Sequence, residues 1–511
     1  MADFDVAIIG YGPVGVMGAH LLAEAGLRVV VIESETEIVD IPRAVNLDGE
    51  IVRAYQRLGH GEEIEAQTQA LREGDAVSFV NSKHEPYFQL PLPPSGDNGY
   101  RDMAFVDQPE LEAKLRELVE AQGSVHLLLG HEALAIEAEP DQVEIDTRSV
   151  ESGEGGRISA SYLIGCDGAS SFVREAMGIR WDDLGYDQDW LVVDIVLDDL
   201  TDVANLTMQV CDPARLSTYV CVKDPNRRWE FQMLPGETRE EMLRTEKIEG
   251  LLSKWVEPGR YSIRRAAVYQ FHAALARQWK SGRVFLAGDA AHQTPPFLGQ
   301  GLNTGFRDVI NLSWKLALVF QGISDERLLD TYMAERGAHA RDLVEWAVAV
   351  GKLMENFAAG EAGEPPPHEV DPSSGYGQGR AAPPLSAGVI VTEQINAESS
   401  TGYPLRQPTL RGADGREFLL DDLLGSGFGV MALDASALAL SPESQSILDR
   451  IGATVVSLEG YEVSAGALDP ALESGAAVIV RPDRYLFGVA DEDRDLDELI
   501  ASLGRKLFLL S

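Results

Sequence analysis

Apolar and polar positions follow two rhythms along this chain, and its elements begin and end where the rhythm changes. Residues 5–9 form a continuous apolar run after Asp5, as expected of a buried strand. Gly10, Gly12, Gly15 and Gly18 punctuate the next stretch, and a helical spacing then runs to about Ala25. Gly26 ends that helix, and residues 27–32 form a second buried run that closes on Glu33. Strand, Gly-rich turn, helix and strand make a βαβ unit. A helical pattern covers 49–58, and residues 76–92 alternate like strands interrupted by Pro86 and Pro91. Pro109 suits the first turn of a helix, with Glu110 and Glu112 at the positive end of its dipole.

Residues 125–129 and 133–145 predict strands, and 162–165 predicts another that turns at Asp167-Gly168 into a helix over 172–177. Residues 181–274 are mostly strand-like, with runs at 190–197, 216–222 and 229–234 and a helix around 239–255. At 283–318 a short apolar run turns at Gly288-Asp289, crosses a Pro-rich and Gly-rich segment, and becomes a long helix from about Leu302. A second long helix covers 331–359. Residues 360–388 are rich in Pro and Gly and read as linker. From about Gly402 a separate α/β rhythm runs to a final helix at 496–507.

A chain of 511 residues is too long for one core, so two or three domains are expected. The net charge of −39 argues against nucleic acid and anionic membranes as partners. No apolar run approaches the roughly 18 residues that span a bilayer. The first strand starts at once, which leaves no signal peptide, and a cytoplasmic protein is expected. The three cysteines have no metal-ligand spacing, and no metal is expected.

Chemistry concentrates at three turns. Gly10 permits a tight turn, Gly12 lets a pyrophosphate approach the backbone, and Gly15 permits close helix–strand packing. Glu33 ends the second strand, where its carboxylate can accept from a ribose diol. Together they read as a dinucleotide site. Asp167-Gly168 and Gly288-Asp289 are two further strand-end turns carrying an acid. Either acid alone is also what a structural Asx turn uses.

All three turns, in this order, resemble the FAD-dependent aromatic hydroxylases, the single-component flavoprotein monooxygenases that include 4-hydroxybenzoate hydroxylase. Arg228-Trp229-Glu230-Phe231, residues 234–237, residues 480–485 and the stretch 283–318 are similar to the 3-(3-hydroxyphenyl)propionate and phenol hydroxylase branch. The resemblance implies an α/β FAD-binding Rossmann-type domain, an inserted antiparallel-sheet substrate domain and a C-terminal thioredoxin-like domain. It divides the chain into FAD-binding segments at 1–75, 101–180 and 275–359. Substrate-sheet segments fall at 76–100 and 181–274, a linker at 360–400 and the C-terminal domain at 401–511. No cysteine follows Cys221, so the last domain has no dithiol chemistry.

By the same resemblance, Gly10, Gly12 and Gly15 hold the FAD pyrophosphate and Glu33 the adenosine ribose. Arg43, otherwise a surface arginine, lies beside the cofactor, and Gln108 contacts its ribityl region. Asp167 serves FAD and nicotinamide handling, and Asp289 binds the ribityl hydroxyls. Pro296 lies beside the flavin ring, with Gly301, Leu302 and Asn303 at its pyrimidine edge. The implied activity is hydroxylation of a phenolic substrate, such as a hydroxyphenylpropionate-like acid, by O2 and NAD(P)H through a flavin C4a-hydroperoxide. NADH is favoured over NADPH. A phenol base or proton relay is expected, with Tyr219, His84 and Gln232 as candidates that are otherwise plain structural residues. His292 reads as framework. A small aromatic substrate and a possible homodimer complete the expectation. The alternatives are a hydroxylase of polycyclic aromatic polyketides and a non-oxygenating FAD-binding protein.

Overall fold

The computed structural model describes residues 2–72, 74–369, 382–396, 398–491 and 494–510. The first sheet has eight strands, and its five parallel ones run in the order Val284–Leu286, Gly155–Gly165, Phe4–Ile9, Val29–Glu33 and Val125–Leu129. Phe4–Ile9, Val29–Glu33 and Val284–Leu286 are buried over most of their length, which is why they read as unbroken apolar runs. The register puts Ile32, Ile9, Gly165 and Leu286 in one row. The next residues, Glu33, Gly10, Cys166 and Ala287, therefore meet at the carboxyl edge, where open α/β sheets bind ligands. Residues 133–145, expected as one strand, fold into His131–Ala138 and Val143–Ser149. Pro140 sits in the turn between them, which Glu139 N closes onto Gln142 O at 2.8 Å.

The second sheet has eight strands, ordered His292–Gln293, Tyr261–Ala276, Trp181–Leu197, Asn226–Gln232, Ser217–Val220, Thr207–Val210, Ala76–Val80 and Pro86–Pro91. It is not wholly antiparallel as expected. Thr207–Val210 runs parallel to Ala76–Val80, because these strands come from distant segments that no hairpin joins. Alternation along Trp181–Leu197 gives the sheet two buried faces. Leu191, Val193 and Ile195 pack with Tyr219, Trp229 and Phe231 under two short helices, Arg239–Met242 and Thr245–Leu252. The sequence pattern predicts one helix there. Arg244 instead takes an extended conformation (φ −70°, ψ 137°) and starts a second one. The opposite face packs Trp190, Val192 and Phe271 against Phe297 and helix Thr331–Glu361.

Helix Gly301–Phe320 lies against helix Pro13–Glu24, where glycines set the spacing. A Cβ on Gly305 would stand 2.7 Å from Val14 Cγ2. The C-terminal unit holds a four-stranded sheet ordered Thr454–Ser457, Gly429–Ala432, Val478–Val480 and Leu486–Val489. Its first pair is parallel and the rest antiparallel. Its core takes in Trp314 and Leu318 of the preceding helix. Residues 382–396, expected as part of a linker, are packed: Leu385, Val389, Ile390 and Val391 are buried. The middle of that linker, 370–381, lies outside the described residues. Among the described residues no helix is long and apolar enough to cross a membrane.

Candidate active site

Glycine geometry builds the first wall of the site. Gly10 has φ +100°, and a Cβ there would meet Cys166 O at 2.5 Å, so the turn itself needs glycine. A Cβ on Gly15 would meet Gly10 O at 2.0 Å. A Cβ on Gly12 meets nothing within 4 Å, so that side of the backbone stays open. The helix after it has Pro13 at its start and no side-chain cap, which leaves the Val14 and Gly15 N–H groups without an acceptor among the described residues and open to an anion. Glu33 holds this wall in place. Its Oε2 accepts from Tyr11 N at 2.7 Å, and its Oε1 accepts from Ser34 Oγ and Glu35 N. Arg116, which the motifs do not mark, donates to Tyr11 O at 2.8 Å and pairs with Glu112.

The Asp167 carboxylate has local duties. It accepts from Ser171 Oγ at 2.6 Å and Val173 N at 2.9 Å, which supports the first turn of helix Phe172–Ala176, whose N-cap is Ser171. Burial raises its pKa, and those hydrogen bonds oppose the rise. Its turn contributes backbone to the site by packing on Gly10.

Asp289 is different. Surrounding protein desolvates its carboxyl and raises the pKa, while His292 and Arg43 pull it down. Yet its side chain is exposed and makes no hydrogen bond among the described residues. A carboxylate that is crowded and still open lies at the floor of a cleft, not on a convex surface. Arg43, also exposed, reaches the same space. The loop carrying it is held by Ala44 N donating to Gln108 Oε1 at 2.7 Å.

The far wall is the turn Pro296–Leu298, Gly299 at φ +64°, and the start of helix Gly301–Phe320. The backbone N–H groups of Gly301, Leu302 and Asn303 find no acceptor among the described residues, as first-turn donors do without a cap. The Asn303 side chain is inward. It accepts from Asp48 N at 3.0 Å and donates to Gly299 O at 3.1 Å, tying two loops together.

Motif reading missed Asp308. It is fully buried and binds three groups: Gly288 N at 3.0 Å, His292 Nε2 at 2.8 Å and Arg336 Nε at 3.0 Å. It therefore pins the turn that presents Asp289, and His292 is framework through it. Nothing local marks Asp308, which lies within a helix and away from the turn in sequence.

Two base candidates are misplaced for the task. Tyr219 is fully buried on the sheet face turned away from Phe297. Its hydroxyl donates to Ala204 O at 2.8 Å and accepts from Arg227 Nε, and burial raises its pKa. His84 sits on the hairpin before Pro86–Pro91 and stacks on Trp255 at 4.5 Å, on that same outer side. Both are structural residues rather than bases: strand alternation turns Tyr219 outward, and His84 lies in the turn before Pro86, held against Trp255. Gln232 faces inward and donates to Gln188 Oε1 at 3.0 Å.

An open glycine backbone, uncapped helix starts at both ends, a ribose-height glutamate and a cleft carboxylate fit an extended dinucleotide cofactor. Comparison with known proteins agrees. Residues 3–347 match a family model described as an FAD binding domain, and residues 402–506 match one described as the HcaD C-terminal domain. A probable NADH-specific resorcinol 4-hydroxylase of Rhodococcus jostii (strain RHA1) is 33% identical, with 98% of this chain and 94% of that protein aligned. A 3-(3-hydroxy-phenyl)propionate/3-hydroxycinnamic acid hydroxylase of Escherichia coli (strain K12) is 32% identical, with 85% and 79% aligned. Aklavinone-11 hydroxylase, solved with FAD and aklavinone, shares the fold at TM-score 0.80 and 22% identity over 99% of both chains. The flavin-dependent monooxygenase PieE, solved with FAD and substrate, does so at 0.81 and 20% over 99% of this chain and 100% of that one. With the cofactor domain matched over more than half its length and relatives above 30% identity over most of it, this chain belongs to the FAD-dependent aromatic hydroxylases, flavoprotein monooxygenases that use FAD and O2.

Proposed function

We propose that this monooxygenase hydroxylates a single-ring phenol, such as a hydroxyphenylpropionate-like acid, with NADH as reductant. The observation that carries the reading is the inner face of the second sheet. It joins an aromatic lining, Trp190, Phe271 and Phe297, to a polar row, Arg228, Glu230 and Gln232, beside the turn that leads to helix Gly301–Phe320. The relatives above 30% identity are named for single-ring phenols and one for NADH, which supports both choices. Aklavinone-11 hydroxylase, at 22% identity, speaks for the fold alone.

In this reading Gly12, Val14 and Gly15 hold the FAD pyrophosphate, Glu33 the ribose and Asp289 the ribityl hydroxyls. Arg43 and Gln108 shape the same channel, and Asp167 supports its floor. Pro296 flanks the flavin ring, while the N–H groups of Gly301, Leu302 and Asn303 meet its pyrimidine edge. When bound, FAD supplies the hydride acceptor and the oxygen-activating chemistry. The 20-residue helix places its positive end there and favours negative charge on that edge. The aromatic lining excludes water from the reacting ring.

The chain divides as its sheets do, into a discontinuous cofactor domain, an inserted substrate domain and a C-terminal unit. We read the last as thioredoxin-like, supported by its strand order and flanking helices, with a structural role since no cysteine follows Cys221. A cytoplasmic homodimer belongs to the same reading.

Stopped-flow flavin reduction with NADH and with NADPH, each with and without a panel of phenols, tests the function. Faster reduction and a hydroxylated product with a single-ring phenol are expected, and no response to any phenol would reject it. Asp289→Ala is expected to weaken FAD binding about 10- to 100-fold, the worth of one or two hydrogen bonds to a charged group. Full FAD retention on gel filtration would contradict that role.

A further inference from the structure

The inner face of the second sheet holds a carboxyl that neither the cofactor channel nor the fold employs. Strand register aligns Gln209, Thr218, Glu230, Val192 and Ala267 in one row. Directly paired residues share a face of a pleated sheet, so Glu230 points the same way as Gln209. That direction is toward the flavin-side turn: Thr218 Oγ1 donates to Gln209 Oε1 at 2.7 Å, and Gln209 Nε2 donates to Phe297 O at 3.4 Å. Two residues along the strand from Glu230, Arg228 pairs with Asp194 and donates to Pro42 O and Arg43 O. Arg265 donates to Pro42 O at 2.8 Å. Glu230 therefore stands between the loop that carries Arg43 and the turn that carries Pro296.

Glu230 is 4% exposed and accepts no hydrogen bond from any described residue. Nearby donors are committed elsewhere: the Arg228 guanidinium to Asp194 and the 42–43 backbone, and the Thr218 hydroxyl to Gln209. A buried carboxylate without a donor is costly, and the cost is recovered when a ligand brings the donor. The charged groups facing it are Arg228 on its own strand, Asp194 on Trp181–Leu197 and Arg265 on Tyr261–Ala276. Desolvation dominates and raises its pKa to about 7; the two arginines oppose the rise and Asp194 adds to it.

We propose that Glu230 is the base that takes the phenolic proton of the substrate. The substrate O–H bond breaks, its electron pair stays on the ring oxygen, and the proton moves to the Glu230 carboxylate. Negative charge passes from glutamate to phenolate within the field of Arg228 and Arg265. The phenolate is the activated form for attack on oxygen at the ortho or para carbon. This rests on the phenol-hydroxylase reading above. A base titrating near neutral pH is matched to this work, and such a base contributes about 10²–10⁴-fold.

The experiment compares Glu230→Gln and Glu230→Asp with the wild-type holoenzyme, using the phenol that the wild type hydroxylates best. Glu230→Gln is expected to keep its FAD and its KM for the phenol and to lose about 100-fold or more in kcat for hydroxylation. Glu230→Asp recovers part of that loss. The wild-type kcat is expected to fall as pH drops through about 7, where Glu230 takes its proton from solvent, and Glu230→Gln lacks that limb. Hydroxylation by Glu230→Gln at the wild-type rate, with the acid limb intact, would overturn the assignment and leave the phenol reading standing. A wild type that hydroxylates no phenol overturns both. Should Glu230→Gln fail to hold FAD, the wild-type profile decides, and a flat profile through neutral pH rejects Glu230.

Discussion

Asp308→Ala is expected to destabilise the protein by about 3–5 kcal/mol and to strip most of its FAD. The side chain is fully buried, and each of its three partners would lose the bond to it. Arg336 is the most serious. Its guanidinium is buried and bonds to Asp308 Oδ1, with a longer bond to Thr304 O at 3.4 Å. A buried charge stripped of its partner cannot regain water without local unfolding. The Gly288 N–H and His292 Nε2 lose their acceptor at the same time. Gly288 sits at φ +63° directly before Asp289, so the turn that aims the cleft carboxylate loses its anchor. Urea unfolding and the FAD content of the purified protein test this. A midpoint and flavin content equal to wild type would show that the turn holds itself.

Glu335→Gln is expected to cost about 3–5 kcal/mol and to loosen the C-terminal unit from the cofactor domain. Glu335 lies on helix Thr331–Glu361 and is fully buried. Its Oε2 accepts from Arg481 Nη2 at 2.7 Å and Asn311 Nδ2 at 2.7 Å, and its Oε1 accepts from Val389 N at 2.8 Å. Lys315 Nζ stands 3.0 Å away at ion-pair distance but without hydrogen-bond geometry. One carboxylate thus joins two helices of the cofactor domain to two segments of the C-terminal part. Arg481 continues the network to Asp483, which accepts from Trp314 Nε1 at 3.1 Å.

This network also sets an acid limit. Burial alone would raise the Glu335 pKa, but Arg481 and Lys315 outweigh it and lower the pKa from 4.5 to about 2. A depressed folded-state pKa gives stability that is complete above the unfolded value and fades as pH falls toward the folded one. The contribution is therefore present above about pH 4.5 and lost between there and about pH 2. Asp421, held low by Arg53 across the same boundary and by Arg484 within its own unit, acts in the same direction. Chemical unfolding monitored from pH 7 downward is expected to show wild type and Glu335→Gln converging below pH 4.5. Parallel curves through that window would reject the account.

Motif reading assigns no role to these two residues, nor to Glu230, although Glu230 stands in the Arg228–Phe231 stretch that carries the resemblance. The βαβ unit was legible because each glycine meets a local demand: a left-handed turn at Gly10, an open backbone at Gly12, a close approach at Gly15. Asp289 was legible because it adjoins such a turn. Asp308 and Glu335 lie inside helices, where a charged residue normally faces water, and only packing shows that they face inward. Arg228, Glu230 and Gln232 alternate with Trp229 and Phe231, a pattern that reads as one wet face and one buried face. Both faces are buried, since helices cover one and the cofactor domain covers the other. The same alternation turned Tyr219 outward, which its residue type does not reveal.

What the sequence by itself determined is the cofactor and the βαβ unit with its glycine turn, because the conformation of such a turn depends on residues adjacent in the chain. What only the tertiary structure decided is which carboxyl is buried on the inner sheet face, what anchors the Asp289 turn and how the C-terminal unit is held. Those depend on strand register and on buried ion pairs such as Arg336–Asp308, 28 residues apart, and Arg481–Glu335, 146 apart, and such distances leave no local signature in a chain.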